Sequence, residues 1–207
     1  QSQKWPGGLQ QGQSEARAIK TALAGMVNVN GTPKFNVGLM EFTTSGNANQ
    51  DGGFVRFDLQ ALTPSGYAAL SGELDEIFTG VNDTLEKRNA NTPYGNLMYD
   101  LYNYLGGFNQ TYSGGGTEGS KADPAGYTDR YSRFASPLAS DNLCSNTYLI
   151  FIGNPNSSGP ADDSSTNSDA LKALYAALGD TPEKLAGESA GTPLPLPEFT
   201  TTIVPTT

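Results

Sequence analysis

Apolar residues recur along this chain with two different periods. Over residues 13–28 they fall at Ala16, Ile19, Leu23, Met26 and Val27, which is one face of a helix. Asn30-Gly31-Thr32-Pro33 then ends it. Residues 35–42 (FNVGLMEF) read as a strand, and the run Val37-Gly38-Leu39-Met40 suggests one covered on both faces. A polar turn over 45–53 leads to a second strand at 54–59 (FVRFDL), so the two are expected as an antiparallel hairpin. Thr63-Pro64 opens a helix striped by Tyr67, Leu70, Leu74, Ile77, Phe78 and Val81. Thr92-Pro93 opens another, lined by Tyr94, Leu97, Met98, Leu101 and Leu105.

Residues 106–146 form a long stretch rich in Gly, Ser and Tyr, far longer than an ordinary connection. It reads as a surface excursion with local structure of its own. Residues 147–153 (TYLIFIG) carry the strongest strand signal in the chain and read as a central, parallel strand. A polar loop over 154–167, a helix over 169–178 and a strand over 199–204 complete the pattern. Helices alternating with buried strands imply an α/β fold, a sheet with helices on both faces. A main domain is expected over 1–186 and a Pro/Thr-rich tail over 187–207.

Charge narrows the function. The 207 residues hold 12 Lys and Arg against 21 Asp and Glu, a net charge of −9, so phosphate backbones and anionic lipid are poor partners. No run of 18 apolar residues occurs, so no membrane insertion is expected. The chain has no histidine, which removes Ser-His-Asp and Cys-His catalysis and His-ligated zinc. Cys144 is the single cysteine, so an intrachain disulfide is excluded. Paired acids such as Asp75-Glu76 and Asp162-Asp163 are sequence neighbours that project differently. They do not suggest two carboxyls facing each other across a glycosidase cleft. The expectation is a protein that is not an enzyme.

Three places could carry binding chemistry. Asn91-Thr92-Pro93 sets a hydroxyl at a helix start, where it caps the helix or faces a cation. Asn154 and Asn156 follow the 147–153 segment, and ligands of open α/β sheets bind beyond the carboxyl ends of strands. Asp162-Asp163-Ser164 has the composition of a calcium loop without the spacing of an EF-hand. Tyr102, Tyr104, Tyr112, Tyr127 and Tyr131 gather around the long stretch, where either exposure for binding or burial beneath it fits.

The blocks KFNVGLMEF, GGFVRF, NTPYGNLMYDLYNYLGG and YLIFIGNPN, in that order, resemble the von Willebrand factor A-type domain at the front of PilY-type type IV pilus tip adhesins. The resemblance covers most of residues 1–180. It implies a doubly wound sheet with a metal-ion-dependent adhesion site at its top, holding Ca2+ or Mg2+. Thr92 matches that site's second-loop threonine. Asn154 stands where an aspartate is expected, and the first motif of the site is absent. Exchanging a carboxylate for a carboxamide removes an attraction of several kcal/mol at an effective dielectric of about 20. The site is therefore read as degenerate, with Asn91, Asn156, Asp162 and Asp163 as a neighbouring binding surface.

The resemblance further implies a tip-associated adhesin or assembly module outside the cell. Its partners would be minor pilins or other pilus-tip proteins, and a host or surface ligand. The family's first strand is central to its sheet, so an upstream segment or a partner chain is expected to fill that slot. The alternative is a structural interaction domain of another secreted surface assembly.

Overall fold

A computed structural model describes residues 8–42, 52–83, 94–110, 118–138 and 146–152, all within the compact unit Gln1–Ser164. The chain forms helix α1 (Gln11–Ala24), strands β1 (Asn36–Phe42) and β2 (Gly53–Ala61), and helices α2 (Pro64–Thr79) and α3 (Tyr94–Gly106). A short helix α4 (Glu118–Lys121), a 3-10 turn (Pro124–Gly126) and the two small strands β3 (Tyr127–Asp129) and β4 (Arg133–Phe134) follow. The class is mixed α/β.

Local chemistry explains the boundaries. Thr63 Oγ1 accepts the N–H of Gly66 at 3.0 Å and Pro64 occupies the first turn of α2, so the cap and the fixed proline φ start this helix together. At the start of α1, Gln13 Oε1 accepts the N–H of Gln10 at 3.1 Å.

The strands β1 and β2 pair antiparallel, as two strands around a polar turn predict. Their register runs Val37 opposite Gln60, Leu39 opposite Phe57 and Met40 opposite Val55, with irregularities on both sides of Leu39. The extra residues in β2 form a bulge that reverses its faces. Phe57 joins a core with Ala16, Leu70 and Leu74, while Val55 and Leu59 lie in a second core with Tyr104 and Phe134. An unbroken strand would send 55, 57 and 59 to one side. Gly38 sits where this irregularity brings the strands close. A Cβ there would lie 3.2 Å from the Leu59 main chain.

The hairpin is thus the middle of three layers. On one side α1 supplies Ala16, Ile19 and Leu23, and α2 supplies Leu70, Leu74, Ile77 and Phe78. On the other, α3 supplies Leu101, Tyr104 and Leu105, joined by Tyr127 and Phe134. Helices lie on both faces of this two-stranded antiparallel ribbon, whereas a larger, doubly wound sheet was expected.

Three expectations need correction. Residues 147–152 form no strand and stand exposed: an apolar segment becomes a strand only when another strand completes its ladder. The described parts of the stretch beginning at residue 106 have local structure of their own, as expected, but are not confined to the surface, since Phe134 is fully buried and Gln110 and Ala122 are buried with it. Strand β1 holds no fully buried residue, whereas Gly53, Phe54, Val55, Arg56 and Phe57 of β2 are all buried. The expected helix over 169–178, the strand over 199–204, the tail over 187–207 and Cys144 lie outside the described residues.

Candidate functional site: the two edges of the hairpin

The two edges of the β1–β2 ribbon differ in chemistry. On the outer edge of β2, six main-chain groups are satisfied by residues from α3 onward. Asp100 Oδ2 accepts the N–H of Gly53 at 3.0 Å, and Gln110 Nε2 donates to its carbonyl at 2.8 Å. Tyr127 Oη accepts the N–H of Val55 at 3.1 Å, and the N–H of Asp123 donates to the Val55 carbonyl at 2.9 Å. Asp123 Oδ2 accepts the N–H of Asp58 at 2.9 Å, and Tyr104 Oη accepts that of Leu59 at 3.0 Å. Side chains and the Asp123 main chain thus replace a neighbouring strand and close this edge to further pairing.

The sequence places these caps well. Asp100 and Tyr104 are four residues apart on α3, so both lie on the face that meets the sheet. Asp123 also caps the 3-10 turn, its Oδ1 accepting the N–H of Ala125 at 3.0 Å. Gly126 passes so near that a Cβ would lie 2.7 Å from Val55. Burial holds the Tyr104 phenol protonated well above the usual tyrosine range, and its 2.6 Å hydrogen bond to Asp58 Oδ1 pushes the same way.

Among the described residues, the outer edge of β1 carries no such caps at Gly38 or Met40. Both main-chain groups of Val55 turn away from β1, so Met40 and Val55 form a non-hydrogen-bonded pair and Met40 also turns outward. Gly38, against Leu59, is related to Met40 by the two-residue strand period and faces the same way. No hydrogen bond among the described residues reaches that side of either residue.

A charged cluster fastens β2 to α2. Arg56 is buried, and its guanidinium donates through Nε to Glu73 at 2.7 Å, through Nη1 to Glu41 at 3.3 Å and through Nη2 to Glu76 at 3.1 Å. Lys121 reaches Glu76 at 3.1 Å. Asp75 and Glu76 are both more than half exposed and still engaged, Glu76 in this cluster and Asp75 with Lys20 at 2.7 Å. With its carboxylates committed to cations, the cluster ties elements together; among the described residues no group of three or more carboxylates or thiols is placed to hold a metal.

The third feature is the uncharged run Tyr148-Leu149-Ile150-Phe151-Ile152. Tyr148 is 85% exposed and Ile150 84%, with the other three also open to solvent. Consecutive apolar residues in an extended segment present apolar chemistry on both faces, which suits the interior of a layered sheet.

The tyrosines divide. Tyr104 is buried and packs edge-on against Phe134 at 5.8 Å, while Tyr127 stacks on Phe134 at 5.2 Å. Tyr102 is exposed and lies 5.6 Å from Phe108. The expected site residues Thr92, Asn91, Asn154, Asn156, Asp162 and Asp163 all lie outside the described residues, as does Tyr112. No helix among the described residues is long and apolar enough to cross a membrane. The chain matches no protein-family model, no curated protein and no solved structure.

Proposed function

We propose that this chain is a non-enzymatic interaction module of an extracellular surface assembly, acting at the tip of a type IV pilus. Its fold would be a von Willebrand factor A-like doubly wound sheet. The observation that carries the reading is the apolar run 148–152, exposed in a chain whose hairpin has one capped edge and one open edge. Such a chain is completed by other polypeptide, which is the property of an assembly component. The order of the sequence blocks supports the pilus-tip setting. Helices on both faces of the hairpin agree with a layered sheet.

In this reading, recognition uses the loop edge that carries Thr92 and Asn154, with Asn91, Asn156, Asp162 and Asp163 beside it. Asn154 in place of a carboxylate makes any Ca2+ or Mg2+ weakly held there. Minor pilins or other tip proteins are the partners within the assembly, and a host or surface ligand is the external target.

Capture of minor pilins by the immobilised chain tests the reading, together with piliation and attachment of cells from which it has been deleted. The expected result is pilin retention and a loss of surface pili or attachment. Absence of pilin capture, with piliation and attachment unchanged, would overturn it. Turnover of polysaccharides by the purified chain would overturn its non-enzymatic part.

A further inference from the structure

The two strands of the ribbon are buried unevenly. Strand β2 is buried from Gly53 to Phe57, while in β1 Asn36 and Gly38 are exposed and Val37, Leu39 and Met40 are half-buried. The main-chain groups of Met40 turn outward, and the two-residue strand period gives Gly38 and Asn36 the same direction. Phe35 fixes this phase from the other end: its carbonyl, one residue earlier, turns inward and accepts the N–H of Leu62 at 3.0 Å. No hydrogen bond among the described residues reaches the outward side of Asn36, Gly38 or Met40. Residues 35–40 hold no charge and no proline, the usual guards of a free edge, whereas the far edge of β2 is closed group by group. We propose that the outer edge of β1 pairs with the same edge of a second copy of this chain, antiparallel about a two-fold axis at Gly38, so that the two ribbons join into one continuous sheet.

The register follows from the phase of the strand. With the axis at Gly38, Asn36 lies opposite the partner's Met40 and Gly38 opposite the partner's Gly38, so the outward groups of all three residues form hydrogen-bonded pairs. Val37 then lies opposite the partner's Leu39, an apolar cross-strand pair on the face that meets α1 and α2. An axis one residue later, at Leu39, would set Val37 against the partner's Glu41 instead.

The proposal rests on the reading of the chain as an assembly component and names a second copy as one of its partners. Two observations favour a second copy over a foreign strand. The uncharged stretch is flanked by exposed Lys34 before it and by Glu41 after it, so antiparallel pairing with itself brings the basic end of each strand to the acidic end of the other. The pairing also closes: an edge that meets itself about a two-fold axis is used up, and the capped outer edge of β2 in both copies ends the sheet.

The test is the mass of the purified chain in solution by light scattering, under reducing conditions so that Cys144 cannot link two copies. It is combined with hydrogen exchange at the amides of Asn36, Gly38 and Met40. A mass of twice 21.8 kDa is expected, with all three amides protected. Asn36 is the exposed first residue of an edge strand, a position that accepts proline. Asn36→Pro removes the N–H directed at the partner's Met40 in both halves of the dimer and should weaken it roughly tenfold or more. Asn36→Ala keeps that N–H and should leave the dimer constant within about twofold. The Val55 amide, held by Tyr127 on the far edge, should stay protected in every form.

A monomer at tens of micromolar overturns the proposal, and so does a dimer in which the three amides exchange freely. A dimer unchanged by Asn36→Pro, or weakened as much by Asn36→Ala, overturns it as well. The mass and amide pattern of the unaltered chain decide the matter even if the proline variant loses its Val55 protection. Pilin capture is read separately, so failure here leaves the assembly function standing.

Discussion

Tyr104 Oη donates to Asp58 Oδ1 at 2.6 Å while accepting the N–H of Leu59 at 3.0 Å, so one phenol joins α3 to two consecutive residues of β2. Tyr104→Phe removes the donor and the acceptor together and leaves a main-chain N–H unsatisfied. It should cost about 1–3 kcal/mol in denaturant unfolding. The pH dependence has a definite sign. The folded phenol keeps its proton above the range in which an unfolded tyrosine, with a pKa of about 10, loses it. The unfolded chain then binds fewer protons, so this part of the stability is full below pH about 10 and falls as pH rises beyond it. The variant should show a shallower alkaline loss of stability. Equal slopes for the two proteins would refute the assignment.

Arg56 sits among three carboxylates, and its planar fork uses a different nitrogen for each. A lysine ammonium has no such fork. Arg56→Leu leaves Glu41, Glu73 and Glu76 facing one another without their shared cation and should cost about 3–5 kcal/mol. Arg56→Lys should recover only part of that. Glu76→Gln touches a side chain more than half exposed and should cost under about 1 kcal/mol. Urea midpoints for the three variants check the ranking, and a Glu76→Gln loss as large as that of Arg56→Leu would contradict it.

Asp123 holds the edge of β2 and the turn after it with one carboxylate. Asp123→Ala should destabilise by about 1–2 kcal/mol, in line with a lost cap and a lost edge hydrogen bond. The more specific expectation is local: faster exchange at the Asp58 amide, with the Gly53 amide, held by Asp100, little changed. Uniform acceleration along β2 would point to general loosening instead.

Phe134 lies within the long stretch that begins at residue 106, yet it is fully buried between Tyr104 and Tyr127. Phe134→Ala should cost about 3–5 kcal/mol, as for a large core aromatic. A surface excursion would tolerate the change with little loss, so thermal unfolding of this variant separates the two descriptions.

The parts of the fold legible in the sequence are those set by neighbours along the chain. Thr63-Pro64 fixes the start of α2 through a local cap, and the stripe from Leu70 to Phe78 faces the core as its spacing implies. The hairpin follows from two apolar runs around a turn. The edge caps were not legible, because Asp100, Tyr104, Asp123 and Tyr127 meet β2 across 45 to 72 residues of chain. One trace was available: Asp100 and Tyr104 share the apolar face of α3 with Leu97 and Leu101, where a polar group requires a partner. Arg56 likewise lies inside the apolar run FVRF, flanked by residues that are buried, and Glu73 and Glu76 one helical turn apart provide its anchorage. The run at 147–153 misled because its composition reports a burial that the described residues do not supply.

The groups that close β2 come late in synthesis. The ribosome completes the hairpin before it has made Asp100, Tyr104, Asp123 or Tyr127. At roughly 5–20 residues per second, the nascent ribbon therefore spends several seconds with both flanks bare. During that interval neighbouring chains on one messenger present each other with matching sticky ribbons. Cellular yield should then depend on translation speed and on holding factors more than the finished molecule's stability would suggest.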